Sequence, residues 1–330
     1  MKIFAFANVY NECDWLLHHI AHIYPWVDHI LIHEGNNSPP VEEIPARSED
    51  GTIELCHYLD KRLKKVRFLG SGNVHKSNKK GQAETFQHFL DTAWTMGAKE
   101  EDWIFLADPD EIMTDWFFEG LKNLLGELGD KFSALETYGP MFWFNMKLFI
   151  WQHRERMWRF RKDAYFGETI EYRLRSTHRP VNHKRELVMQ IGGVGTPSNY
   201  HYAFVKPPSR ELTRRKWEVA CGYREPIILD WYREVFMKWN YADMGETAYL
   251  TNKKLTGNKG ILFKGNDQLM TWHVKHPKII EKHPMKKIDD IREIRETRVI
   301  IKDERIFHHI LKLDDFLFTT ELTPLLKGLK

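Results

Sequence analysis

The chain has 330 residues, 42% of them hydrophobic, with 49 Lys and Arg against 46 Asp and Glu. That apolar content supports a sizeable core and excludes global disorder, while a net charge of +3 gives no ground for a nucleic-acid partner. The isolated cysteines Cys13, Cys56 and Cys221 form no CxxC pair, so neither a disulfide framework nor a cysteine zinc site is supported, and reduced thiols in the cytoplasm fit best.

Residues 2–9 are a nearly continuous apolar run (Ile3, Phe4, Ala5, Phe6, Ala7, Val9), the pattern of a strand buried on both faces. The run is too short to span a membrane, and no later stretch is long and uncharged enough, so no integral membrane segment is expected. Asn11 is placed to cap a helix carrying Trp15, Leu16, Ile20 and Ile23 at helical spacing, closed by Pro25. On that helix, His18 and His22 read as a surface pair. A strand at His29–His33 runs into a dense loop signal at Glu34–Pro40. Val66–Leu69 reads as a third strand, Gln82–Trp94 as a helix, and Trp103–Ala107 as a fourth strand running straight into Asp108. This alternation predicts βαβ units and an α/β fold with a mostly parallel, doubly wound sheet flanked by helices.

Past residue 130 the segments Ser133–Tyr138, Met141–Ile150 and Met157–Phe160 read as aromatic-rich strands, their rings taken as core. A soft boundary at Lys206-Pro207-Pro208 divides residues 1–206 from residues 207–330. In the latter, Arg210–Cys221, Ile227–Trp239 and Ile288–Ile301 predict a helical extension on the acceptor side or for a partner.

The chemistry concentrates at Asp108-Pro109-Asp110-Glu111. Ligands of open parallel sheets bind outside the carboxyl ends of the strands. Three carboxylates within four residues repel one another unless a cation or strong donors compensate. Oxygen ligands suit Mg²⁺ or Mn²⁺, which also bind substrate phosphates.

The strand–Asn11-Glu12–helix opening is followed by Val27-Asp28-His29-Ile30-Leu31-Ile32-His33-Glu34 and then by Asp102-Trp103-Ile104-Phe105-Leu106-Ala107-Asp108-Pro109-Asp110-Glu111-Ile112. In this order the sequence resembles the GT-A-fold glycosyltransferases, and among them the family-2-like enzymes with an Asp-x-Asp-Glu motif. The resemblance covers residues 1–120 well and 130–205 loosely. It implies a metal-dependent transfer of a hexosyl or N-acetylhexosaminyl group from a UDP- or GDP-linked sugar to a glycan or glycoconjugate hydroxyl. By the same resemblance Asn8, Tyr10, Asn11 and Glu12 would hold the nucleotide base, and Glu34 would meet base or ribose where relatives carry an aspartate. Asp108 and Asp110 would serve the metal and the catalysis, with His201 of Asn199-Tyr200-His201-Tyr202 completing the metal shell and His273 and His276 in reserve. Lys206 and Arg210, close behind His201, would meet the diphosphate, while Glu168 is the candidate general base, ahead of Glu136 and Glu171.

Three other readings stand beside this one. A nucleotidyltransferase would carry a Gly-rich loop after the first strand, and Val9-Tyr10-Asn11-Glu12 has no glycine. A non-catalytic carbohydrate-binding or scaffold protein would retain the fold without turnover. A nucleic-acid binder is opposed by the charge balance.

Overall fold

In a computed structural model the N-terminal apolar run is strand β1 (Ile3–Val9), and its alternation decides which helices cover it. The structure describes residues 1–36, 44–72, 81–128, 131–167, 172–176, 188–220, 229–238, 270–271, 275–303, 306–313, 317–326 and 329. Helix α1 (Leu16–Ile23), β2 (His29–Glu34), α2 (Thr52–Arg62), β3 (Val66–Ser71), α3 (Gly81–Thr95) and β4 (Trp103–Leu106) follow in order. Ile3, Ala5, Ala7 and Val9 face α1 and α2, whereas Phe4 and Phe6 face Phe86 and Phe89 of α3. Strands β3, β2, β1 and β4 lie side by side and parallel. The chain therefore reverses its direction of winding at β1, the point where two diverging connections open a crevice.

Next come β5 (Glu111–Met113), α4 (Asp115–Leu128), β6 (Ala134–Trp143) and β7 (Leu148–Arg159). A two-stranded β8 (Ala164–Phe166) and β9 (Tyr172–Leu174) precedes β10 (Val188–Ile191), β11 (Asn199–Phe204) and α5 (Pro208–Ala220). The hairpin β6–β7 joins β4 antiparallel, β11 runs parallel to β6, and β5 pairs antiparallel with β11. With β10 beside β6 and β12 (Met270–Thr271) beside β7, the sheet has ten strands among the described residues. It is α/β as expected, but mixed: the parallel pattern holds through the first four strands and then gives way to antiparallel pairing at β7.

Two expectations about helices need correction. The predicted helix over Ile288–Ile301 is a 3-10 turn at Ile291–Glu293 followed by strand β13 (Ile294–Asp303), paired with β14 (Ile306–Leu313) and then β15 (Leu317–Glu321). The β-branched run Thr297, Val299, Ile300 and Ile301 favours the pleated partner surface over a helix. The described part of the helix expected over Ile227–Trp239 is helical, residues 229–236 with a π-helix at Trp231–Phe236, so it is β13–β15 that make the C-terminal region not simply helical. Asn11 does not cap α1, which starts behind Trp15. It takes a left-handed turn (φ 50°), a conformation asparagine tolerates, and its side chain accepts from Glu49 N at 3.0 Å.

His18 and His22 are buried rather than on the surface, because α1 lies between the sheet and the C-terminal segments. Val299, Leu322 and Leu329 pack into the same core as β1 and α1, so residues on both sides of position 206 share one interior. Among the described residues no helix is long and apolar enough to cross a membrane.

Candidate functional site

The crevice opens where β1 and β4 end. The turn after β4 is closed by Glu111 N donating to Asp108 O at 2.9 Å, and it holds Asp108, Asp110 and Glu111 beside one another. Strand β11 comes in from the far half of the sheet, its His201 opposite Glu111 in the β5 register. His201 Nε2 stands 3.6 Å from Asp110 Oδ1. Its Nδ1 faces the side-chain amide of Gln152 at 2.8 Å, which orients the ring and leaves Nε2 turned toward Asp110.

Each carboxylate in the motif has a counter-charge, with Glu111 and Asp108 sharing one. Arg156 takes Glu111 through two nitrogens and reaches Asp108 Oδ2 at 2.9 Å. Glu111 is fully buried, and although burial pushes its pKa up, Arg156, His201 and Arg154 outweigh that and hold it lowered. Lys206 bridges Glu12 and Asp110, 2.9 Å from Asp110 Oδ2. Burial opposes the charge on Lys206, yet Asp110 and Glu12 raise its pKa, while Lys206 and His201 in turn hold Asp110 well below the carboxylate range against its own burial. Glu12, in contrast, is pushed up to about 7, mainly by burial and with Asp110 adding to it.

Two adjoining cavities follow from this arrangement. One, of about 460 Å³, is lined by Asp108, Asp110, Arg154, Glu155, Arg156 and His201 among others. The other, of about 200 Å³, is lined by Tyr10, Asn11, Gly35, Asn36 and Arg210. They share Asn8, Glu12, Gln82, Lys206, Arg214 and Trp217, so the pair forms one two-lobed cleft bridged by α5. Tyr10 Oη donates to Pro45 O at 2.8 Å, and burial pushes its pKa up to about 12, so the phenol is neutral.

The structure brings Asn8, Tyr10, Asn11, Glu12, Asp108, Asp110, His201 and Lys206 to this cleft. Arg210 lines it too, but its guanidinium is engaged by Asp14 at 2.5 Å and Asp50 at 2.9 Å. Glu34 is turned away from both lobes: its carboxylate accepts from Ser48 N and Oγ at 2.6 and 2.7 Å, and Gly35 and Asn36 line the cleft in its place. Both ring nitrogens of His276 are taken, by Tyr202 Oη and Met146 O. Glu136 pairs with His153, 3.6 Å away. Glu168, Glu171 and His273 lie outside the described residues.

Sequence reading missed Gln152, Arg154, Glu155 and Arg156, because residues 151–156 fall between the two strands it predicts, Met141–Ile150 and Met157–Phe160. It is instead the middle of β7, where Leu135 pairs with Met157 but Glu136 with Glu155, leaving Arg156 as the extra residue of a bulge. Bulges re-aim side chains beside sites, and here Arg154, Glu155 and Arg156 all line the cleft. Trp217 was also missed, and Arg214, which charge patterning alone assigns to a solvated helix face, lines the cleft; their spacing from Arg210, at i+4 and i+7 on α5, was the available signal.

The residues present fit a divalent cation held by two of them. An oxygen and an imidazole nitrogen 3.6 Å apart suit a shared ion with bonds of roughly 2.1 Å. Asp110 and His201 would hold it, and Asp108 is occupied by Arg156. No protein-family model matches this chain, and comparison with curated proteins finds no significant match.

Proposed function

We propose that the chain is a GT-A-type glycosyltransferase whose nucleotide-sugar donor lies along the two-lobed cleft. The observation that carries this reading is the meeting of Asp110 and His201 at the β1/β4 reversal, directly beside a pocket formed by the end of β1. The smaller lobe, with Tyr10, Asn11, Asn36 and Trp217, has aromatic faces and amide groups suited to a base and ribose. The larger lobe has cations suited to a diphosphate, Lys206, Arg214 and Arg154, while Arg156 holds Glu111 and Asp108.

Mn²⁺ or Mg²⁺ held by Asp110 and His201 would neutralise the charge that grows on the leaving nucleoside diphosphate. Lys206 works on the same charge from the other oxygen of Asp110, and the Gln152 amide keeps His201 in register. An inverting transfer would need a general base facing this lobe, and Glu155 is a carboxylate that lines it.

Calorimetric titration of UDP and GDP, each with and without Mn²⁺, into wild type and Asp110→Ala tests this. Metal-dependent binding that the variant loses is the expected result, and the stronger ligand identifies the base. If the folded wild type binds neither nucleotide, the non-catalytic scaffold reading takes over.

A further inference from the structure

Behind the donor cleft, the segment that joins β1 to α1 carries Cys13 and Asp14, each 1% exposed, and β14 brings the wholly buried His309 against them. One ligand-capable atom from each of the three lies within 4.8 Å of the other two. Cys13 Sγ is 3.1 Å from Asp14 Oδ1, and His309 Nε2 is 3.9 Å from the same oxygen. Tetrahedral zinc, with bonds of about 2.0–2.3 Å, keeps its ligand atoms roughly 3.5 Å apart. The two separations bracket that value.

A second observation is independent of these distances. Both ring nitrogens of His309 and Oδ2 of Asp14 are buried without a hydrogen-bond partner. Interior polar atoms are nearly always satisfied, and an imidazole with neither nitrogen engaged is costly. Charge points the same way. Asp14 and Asp50 share the Arg210 guanidinium, which leaves one negative charge over among the three groups. A divalent ion that also displaces the Cys13 proton to solvent gives three anions against Arg210 and the metal, a sum of zero.

We propose that Cys13, Asp14 and His309 bind a structural zinc ion that fastens β14 to the start of α1. Thiolate, imidazole and carboxylate together form a zinc donor set. Without a cation, burial, Asp50 and Asp14 hold the Cys13 thiol up and protonated.

The test is metal analysis by plasma mass spectrometry on the full chain after dialysis against stoichiometric Zn²⁺. Near-stoichiometric zinc is expected in wild type, in Cys56→Ser and in Asp110→Ala, with only traces in Cys13→Ser and His309→Ala. Because those two variants risk misfolding, Co²⁺ loading of wild type gives a second readout: a sulfur-to-cobalt charge-transfer band in the near ultraviolet with tetrahedral visible bands. Trace zinc in folded wild type, the absence of that band, or zinc retained by a folded Cys13→Ser chain that also carries Asp110→Ala, and so lacks the donor-site ligand, would each overturn the site. Asp110→Ala keeps its zinc whether or not the transferase reading holds, so the two proposals fail separately.

Discussion

Asp110 is held between an imidazole and an ammonium group, and the consequences extend to its neighbours. Glu12, on the far side of Lys206, has its pKa pushed from 4.5 up to about 7 by burial first, then by Asp110 against the pull of Lys206. A carboxyl that holds its proton more tightly folded than unfolded contributes stability at low pH and loses it as pH rises through the folded value. Urea denaturation from about pH 5 to about pH 8 should therefore show wild type losing stability relative to Glu12→Gln. A difference that stays constant over this range would refute the raised Glu12. Asp110 acts in the opposite sense and outside this window: its contribution is present above the ordinary carboxylate value of 3.8 and is lost below it. Arg156→Ala leaves Glu111 buried without its main counter-charge, and a loss of about 3–5 kcal/mol is expected. Arg156→Met with Glu111→Leu should recover most of it, which chemical denaturation would measure.

At the scale of elements, the site depends on how closely β11 approaches β6. Gly139 lies in β6 where any Cβ would strike the Asn199 carbonyl and side chain of β11, the strand that carries His201 two residues on. Gly139→Ala should cost about 1–3 kcal/mol and weaken metal-dependent nucleotide binding by moving His201 off Asp110. Gly120, in α4 with open space around its Cβ position, is the control: Gly120→Ala should gain up to about 1 kcal/mol. Equal thermal shifts for the two variants would show that the close approach has no energetic weight. The bulge in β7 is the other device at this scale, since one extra residue brings three successive side chains to one cleft.

For the molecule as a whole, the interior is continuous across the 206 boundary. Val299, Leu322 and Leu329 pack with β1 and α1, and Val299 N donates to Asp50 O at 2.9 Å. The full chain should therefore unfold in one cooperative thermal transition, followed by circular dichroism. A chain ending at Glu293 lacks β13–β15 and should have a lower melting temperature or fail to fold. Two separate transitions, or an unchanged melting temperature in the shortened chain, would show that the C-terminal sheet folds independently.

The sequence by itself determined the first four strands, helices α1 and α3 and the carboxylate motif behind the fourth strand, but not α2. Continuous apolar runs and helical spacing are local signals, and a strand end is a local place. The choice of His201 among 17 histidines came through resemblance, and the structure sets that residue beside Asp110. Only tertiary structure decided that Glu34 turns to Ser48, that Arg210 belongs to Asp14 and Asp50, and that β7 supplies Arg154 and Arg156. The same is true of Cys13 and His309, which are nearly 300 residues apart and lack any metal-binding spacing in the chain. Counter-charges and buried polar partners are chosen by proximity in space, and a side chain's neighbours across a sheet have no fixed distance along the sequence.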